Sequence, residues 1–512
     1  MKTEITFYAG IHTIGGVVMS VVYGGHRVLL EIGTAYEPST DVYDGVVRPR
    51  RARRLEDELR LRRVPMVDGL YPRAAMGDFA GLASAEEYGL HTAVFVSHLH
   101  LDHMSCMGFL ADGVDLYVSE PAQCIEAALE TVGMGNYNLR TAPCLPLHDR
   151  QPVQVGEIKV VPFLLCGASY QDWSFYVETP DLKLHYTGDL MMHGDYKDAV
   201  LSEMEWVAAQ KPDVLVCEAT TFMDSTLKMV YGRTDVTVEP DPEVPAGMLD
   251  KCGLDAEMEK ILRAQKGLCV INFYQREMAD VEVFGRMAAA CGRTLVLEPE
   301  TAYVAWKFFR QPVHVYLPDD DRFAPDGEYA RKPWFKELMA ENEQVTAALI
   351  EQAPWKYLVQ NSYEYLLELF SLPDKDASYL HAGGVPIGAY DPKYENLMRV
   401  MRNTNFRYIT FFAQNYFSHA YPCQVKYYVD NIGAQVLLPS PSQNPERLLP
   451  GPGGRQFLPE YGVSYVWNGE GLEPAGTWIS PTERALCRCA KGSFSQKKTG
   501  GAERVLLGLF VL

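Results

Sequence analysis

No stretch of this 512-residue chain approaches the roughly 20 consecutive apolar residues that a membrane-spanning helix needs, and the terminal LLGLFVL run is too short. The opening MKTEITFYAG lacks the basic stretch followed by an apolar one that marks a secretory leader. The eleven cysteines include no CxxC pair and none of the close spacing that staples small secreted scaffolds. Reduced thiols, a cytoplasmic location and no membrane partner are therefore expected. Positive charge is also short: 47 Lys and Arg stand against 66 Asp and Glu, for a net charge of −19. Phosphate is repelled by such a surface, which excludes sequence-independent nucleic-acid binding by the molecule as a whole.

Apolar residues make up 47% and charged residues 22%, an ordinary globular balance, and the length predicts two or three domains. Basic charge is concentrated once, where Arg48, Arg50, Arg51, Arg53, Arg54, Arg60, Arg62 and Arg63 surround Glu56, Asp57 and Glu58. Two readings are open: a solvated helix laced with ion pairs, or a phosphate-tracking strip beside an active site.

β-rich segments at 5–8, 17–23 and 27–32 are separated by Gly15-Gly16 and Gly24-Gly25, which are turn chemistry. Further strands are expected at 94–97, 114–118, 158–163, 174–178, 182–187 and 214–217, with helical patterns at 122–131 and 202–210. This mixture predicts sheets covered by helices. The Pro- and acid-rich VEPDPEVPAG at 238–247 reads as a linker, after which strand–helix alternation predicts a mostly parallel sheet.

Ser97-His98-Leu99-His100-Leu101-Asp102-His103 is the segment most informative about chemistry, because four potential ligands fall directly after an apolar strand. On a tight loop the alternate residues His98 and His100 can converge on one cation. Asp102 and His103 then occupy the next turn and can reach a second. Imidazole and carboxylate donors suit Zn²⁺, as one or two ions, with Mn²⁺ as the alternative. Paired cations about 3.5–4 Å apart clamp the attacking and leaving oxygens of a displacement.

His-x-His-x-Asp-His after a strand resembles the signature of the metallo-β-lactamase fold, and Thr187-Gly188-Asp189 resembles that family's TGD element, whose aspartate bridges two metals. Lys211–Thr220 is similar to the strand that follows, and 10–33 to the first hairpin. The α/β insertion after Thr220 resembles the β-CASP domain of ribonuclease J-like nucleases. Phe417-Ser418-His419-Ala420 looks like their Ser-Gly-His-Ala element, and Val436-Leu437-Leu438-Pro439 like the strand before their last histidine. The resemblance spans roughly residues 1–450. It implies an α/β fold: a metallo-β-lactamase αββα sandwich at 1–237, an inserted β-CASP domain at 238–405, a return to the sandwich at 406–460, and a C-terminal tail at 461–512.

Metal ligands implied by the resemblance are His98, His100, Asp102, His103 and Asp189. Asp102 and His419 are implied as catalytic, the latter on the scissile phosphate. The implied activity is metal-dependent hydrolysis of RNA or other single-stranded nucleic acid, and a homo-oligomer is left open. The chain also departs from the pattern. Cys166-Gly167-Ala168-Ser169-Tyr170 carries no histidine where the family has a third ligand for the first metal. Pro441 stands where its last histidine belongs, and Glu31 where an Asp closes a strand. These departures motivate two alternatives: a catalytically weakened paralogue that binds nucleic acid or a partner, and a metallohydrolase for a small ester or phosphodiester. Cys166 reads as a small buried residue or a replacement thiolate, and Glu218 as the orienting partner of a ligand or the cap of a strand. His185 lies too far along its strand from Asp189 to share a metal. His193 is read as a loop residue or one at the cleft rim, and His381 as part of a turn.

Overall fold

The computed structural model describes residues 1–35, 42–43, 46–136, 138–165, 172–410 and 418–476. It is a mixed α/β structure containing three seven-stranded sheets. The first sheet runs, edge to edge, through Leu472–Gly476, Ser464–Trp467, Glu4–Ala9, Val18–Tyr23, His26–Leu30, His91–Phe95 and Asp115–Tyr117. It is antiparallel up to His26–Leu30 and parallel beyond. The second sheet runs Arg455–Gln456, Val436–Pro439, Val214–Cys217, Lys183–Tyr186, Trp173–Glu178, Ile158–Leu164 and Val153–Val155. Its first four strands are parallel and the rest antiparallel.

These two sheets pack face to face. Ile5, Phe7, Val28 and Phe95 from one meet Val160, Phe175, Tyr186 and Val216 from the other in a single apolar cluster. Period-two alternation sends Val28 and Leu30 into this layer and Leu29 to the opposite face. There Leu29 and Val94 are covered by helices Arg54–Arg60 and Glu120–Val132. The latter starts where Ser119 Oγ accepts from Ala122 N at 3.3 Å and stops at Gly133 in the left-handed region. Helices Lys197–Gln210, Asp224–Tyr231 and Pro422–Ile432 cover the outer face of the second sheet. His185 points into that helical layer, with Nε2 2.6 Å from Glu203 Oε1 and 2.9 Å from the Tyr428 hydroxyl.

The third sheet is wholly parallel, in the order Glu343–Thr346, His314–Leu317, Thr294–Leu297, Tyr357–Gln360, Cys269–Asn272, Ser378–His381 and Arg407–Thr410. Arg407–Thr410 pairs with Ser378–His381, so this sheet runs past residue 405 into the stretch expected to have returned to the sandwich. Likewise Ser464–Trp467 and Leu472–Gly476, within the expected tail, extend the first sheet. Helix Pro299–Phe309 of the third-sheet unit packs along Glu120–Val132, giving the unit a seat on the two-sheet body. Among the described residues no helix is long and apolar enough to cross a membrane.

Candidate metal centre

Parallel strands deliver the site from their carboxyl ends. His91–Phe95 leads into His98, Lys183–Tyr186 into Asp189, and Val214–Cys217 into Glu218. His100 is extended (φ −65°, ψ 141°), and Leu101–Met104 then forms a helical turn carrying Asp102 and His103. Two glycines let this turn sit against the first hairpin. A Cβ on Gly33 would lie 1.8 Å from the Asp102 carbonyl oxygen, and one on Gly15 would lie 1.9 Å from Asp102 Oδ2. Only a residue without a side chain fits either place. The loop is tied down by Ile32 N donating to His103 O and Cys106 N to Ile32 O, each at 2.9 Å.

Asp189 divides its two oxygens between two histidines: Oδ2 lies 3.5 Å from His98 Nε2 and Oδ1 3.4 Å from His103 Nε2. His100 Nδ1 is 2.9 Å from His98 Nε2, and Asp102 Oδ2 is 3.6 Å from His103 Nε2. His98, His103 and Asp189 form one compact donor group, with ligand atoms within 4.8 Å of one another. Asp189, Glu218 and His419 form a second group by the same measure. His100 and Asp102 border these groups without belonging to either. The geometry thus brings all five sequence-identified donors together, with His98, His103 and Asp189 at the centre.

His103 Nε2 and Asp189 Oδ1 are buried, and among the described residues neither completes a hydrogen bond. Buried polar atoms without partners are costly, and a cation between them removes the cost. Glu31, in the left-handed region at φ 62°, accepts from Ser97 N at 3.1 Å and sets Oε1 3.3 Å from His103 Nδ1. Glu31 therefore has its carboxylate against His103, one of the candidate ligands. A strained backbone at such a point is what a functional site tolerates.

His419 Nδ1 lies 2.9 Å from Glu218 Oε2 and 3.8 Å from Asp189 Oδ2. Glu218 is fixed in turn by Leu190 N, which donates to its Oε1 at 2.5 Å. Burial opposes charge on His419, but Glu218 and then Asp189 outweigh it and raise the imidazole to about 10. His103 is likewise raised, its burial overcome by Asp189, Asp102 and Glu31. Burial, with His103 and His100 adding to it, pushes His98 well below its usual range. Asp189 is held well below the carboxylate range because its neighbours His103 and His419 outweigh burial.

Other expectations resolve differently. Cys166 and Gly167 lie outside the described residues, as does Phe417. Asp172, the first described residue after that stretch, sets Oδ1 3.7 Å from His98 Nδ1. Pro441 contributes a backbone carbonyl, which accepts from Ala219 N at 3.0 Å. His193 is buried with its ring against Tyr421. His381 is the last residue of strand Ser378–His381 and not part of a turn, and its ring nitrogens lie 2.7 Å from the Tyr408 hydroxyl on the neighbouring strand and 2.8 Å from Gly384 O. Most of the arginine segment is paired within itself: Arg50 with Asp57, Arg53 and Arg60 with Glu56, and Arg54 and Arg63 with Glu58. The ion-paired helix is what the structure contains, although Arg62 and Arg63 also line the cleft.

That cleft, about 1750 Å³, lies between the two-sheet body and the third sheet. Residues after three strands of the third sheet face it: Tyr274 and Glu277, Tyr363 and Glu364, and Ala382 and Gly383. Glu277 was invisible in the sequence as a site residue. Its only signal was its place beyond the carboxyl end of a parallel strand, where α/β sheets bind ligands.

No family model matches the chain, and no curated protein matches it. Among solved structures it is similar to a protein of unknown function from Enterococcus faecalis V583, with a TM-score of 0.70 and 26% identity over 91% of this chain and 100% of that one. It also has a distant, partial likeness to the metallo-beta-lactamase fold protein YhfI from Bacillus subtilis. There the TM-score is 0.26 and the identity 13%, over 43% of this chain and 73% of that one, which is too slight to carry an assignment.

Proposed function

We propose that the protein is a metal-dependent hydrolase of metallo-β-lactamase type with an inserted β-CASP domain, acting on phosphodiester bonds of RNA. The observation that carries this reading is Asp189 shared between His98 and His103, with Asp189 Oδ1 and His103 Nε2 buried 3.4 Å apart and, among the described residues, without a completed hydrogen bond. The donor set fits divalent zinc, or manganese with more water: His98, His100 and Asp189 on one side, His103, Asp102 and Asp189 on the other. When bound there, a divalent cation supplies Lewis acidity at a phosphoryl oxygen and lowers the pKa of the attacking water.

The chain's own residues do the rest. Asp102, with Oδ2 at the edge of the donor group, orients the attacking water. His419, held by Glu218 and lining the cleft, donates a hydrogen bond to a phosphate oxygen as charge develops. The cleft exceeds the roughly 300–1,000 Å³ of ordinary small-molecule pockets, which favours a polymer substrate. A second reading, hydrolysis of a small phosphodiester or ester, is favoured by the cleft's charge. Asp172, Glu277, Asp280, Glu364 and Asp391 line it against Arg62, Arg63, Lys251 and Lys393. Incubating the Zn²⁺- or Mn²⁺-loaded protein with labelled single-stranded RNA and with bis(p-nitrophenyl) phosphate separates the two. Chelator-sensitive cleavage of RNA supports the first reading; cleavage of the small diester alone supports the second.

A further inference from the structure

Four consecutive residues of the third-sheet unit, Tyr274 to Glu277, are each anchored, and three of them reach the two-sheet body. The Tyr274 ring meets that of His100 edge-on, with centroids 5.6 Å apart. Gln275 Nε2 donates to Glu298 Oε2 at 3.3 Å within its own unit. Arg276 crosses to helix Glu120–Val132, where Nη1 donates to Glu126 Oε2 at 3.0 Å and Nη2 to Met134 O at 2.6 Å. Glu277 places Oε1 2.5 Å from His100 Nε2. Arg276 and Glu277 are 6% and 5% exposed, so both contacts are made away from water. Among the described residues Glu277 Oε2 is buried with no hydrogen-bond partner, and the contact to His100 is the side-chain hydrogen bond that holds this carboxylate.

We propose that Glu277 is a positioning residue for His100: its carboxylate accepts a hydrogen bond from Nε2–H and so holds the ring with Nδ1 turned toward His98 Nε2, where it can serve a divalent cation. A neutral imidazole has one donor and one acceptor nitrogen, and the partner of one decides the role of the other. Carboxylates behind metal-binding histidines act in this way, and losing one weakens metal affinity by about 10–100-fold. Here the carboxylate comes from a different structural unit than the histidine it orients. The cation site is then complete only while the loop is seated, and the Arg276–Glu126 pair seats it. A cleft that opened by lifting the third-sheet unit would withdraw Glu277 and loosen His100 in the same movement.

The inference rests on the metal-centre reading above, and the experiment separates the two. Zn²⁺ affinity is measured by chelator competition on metal-stripped parent, Glu277→Gln and Glu277→Ala, together with the visible absorption of each protein loaded with Co²⁺. Both variants are expected to bind Zn²⁺ about 10–100-fold more weakly. Glu277→Gln should fall toward the lower end, because its amide oxygen still accepts from Nε2. Their Co²⁺ spectra should differ from the parent's, which a residue that merely holds two units together would not bring about. Should Glu277→Ala not fold, the isosteric Glu277→Gln decides the matter. Parent-like affinity and spectrum in a folded variant overturn the role of Glu277 while leaving the metal centre standing. A parent that binds no Zn²⁺ overturns the metal centre and this inference with it.

Discussion

Replacing His419 with alanine removes a side chain that links Glu218 to the cleft. Glu218 is 1% exposed, and its Oε1 keeps the bond from Leu190 N, but Oε2 loses the imidazole 2.9 Å away. Breaking a buried ion pair by removing one partner costs about 3–5 kcal/mol. Water can follow the truncated side chain here, because His419 is 23% exposed, so the stability loss should sit nearer the ~1–3 kcal/mol of an unsatisfied buried acceptor. The effect on catalysis is larger in consequence. Loss of one donor to developing phosphate charge slows turnover by about 10²–10³-fold, or roughly 2.7–4 kcal/mol of transition-state stabilisation. His419→Ala should therefore melt slightly earlier, keep its metal and cleave labelled single-stranded RNA far more slowly. The assay pairs metal analysis with single-turnover cleavage at a temperature well below melting. Equal cleavage rates would remove His419 from the mechanism. Loss of metal would make it a ligand and refute its assignment as a donor.

Gly33→Ala drives a methyl to within 1.8 Å of the Asp102 carbonyl oxygen, and the neighbour is backbone that cannot step aside. We expect a loss of about 1–3 kcal/mol in urea unfolding together with weaker Zn²⁺ binding, and parent-like values in both would remove the close approach from the account. Glu298 is fully buried, and burial raises its carboxyl from 4.5 to about 8. The folded chain thus holds a proton that the unfolded chain releases, so this contribution to stability is whole below pH ~4.5 and lost as pH rises through ~8. Glu298→Gln should gain stability over the parent between pH 5 and 8, at up to about 1.4 kcal/mol per pKa unit, and a difference that stays constant with pH would contradict this.

The candidate metal donors on the first loop were legible because they are local. His98, His100, Asp102 and His103 fall within six positions after an apolar strand, and in the fold His100 is extended and Leu101–Met104 forms a helical turn. Asp189 was legible through the resemblance of Thr187-Gly188-Asp189 to the TGD element of the metallo-β-lactamase fold. Glu277 was not, since it reaches His100 across 177 positions of chain, and no local pattern marks a carboxylate that acts on a distant loop. The arginine segment shows the converse. A run of like charges invites a phosphate-binding reading, yet Glu56 and Glu58 are buried between the arginines and pair with four of them. The edge strands Ser464–Trp467 and Leu472–Gly476 escaped reading because short strands among Gly and Pro have little periodicity to detect. Arg407–Thr410 joins the third sheet although it lies beyond the expected end of the insertion at 405, since strand order within a parallel sheet is set by crossovers and not by local sequence.

The central claim is that His98, His103 and Asp189 form the heart of a metal centre. Elemental analysis of protein purified without chelators or added metal tests it most directly. The account predicts about one to two divalent ions per chain, and their loss in a His98→Ala, His103→Ala variant that still unfolds cooperatively. A parent that carries no stoichiometric metal, or a variant that retains the parent's full complement, would contradict it.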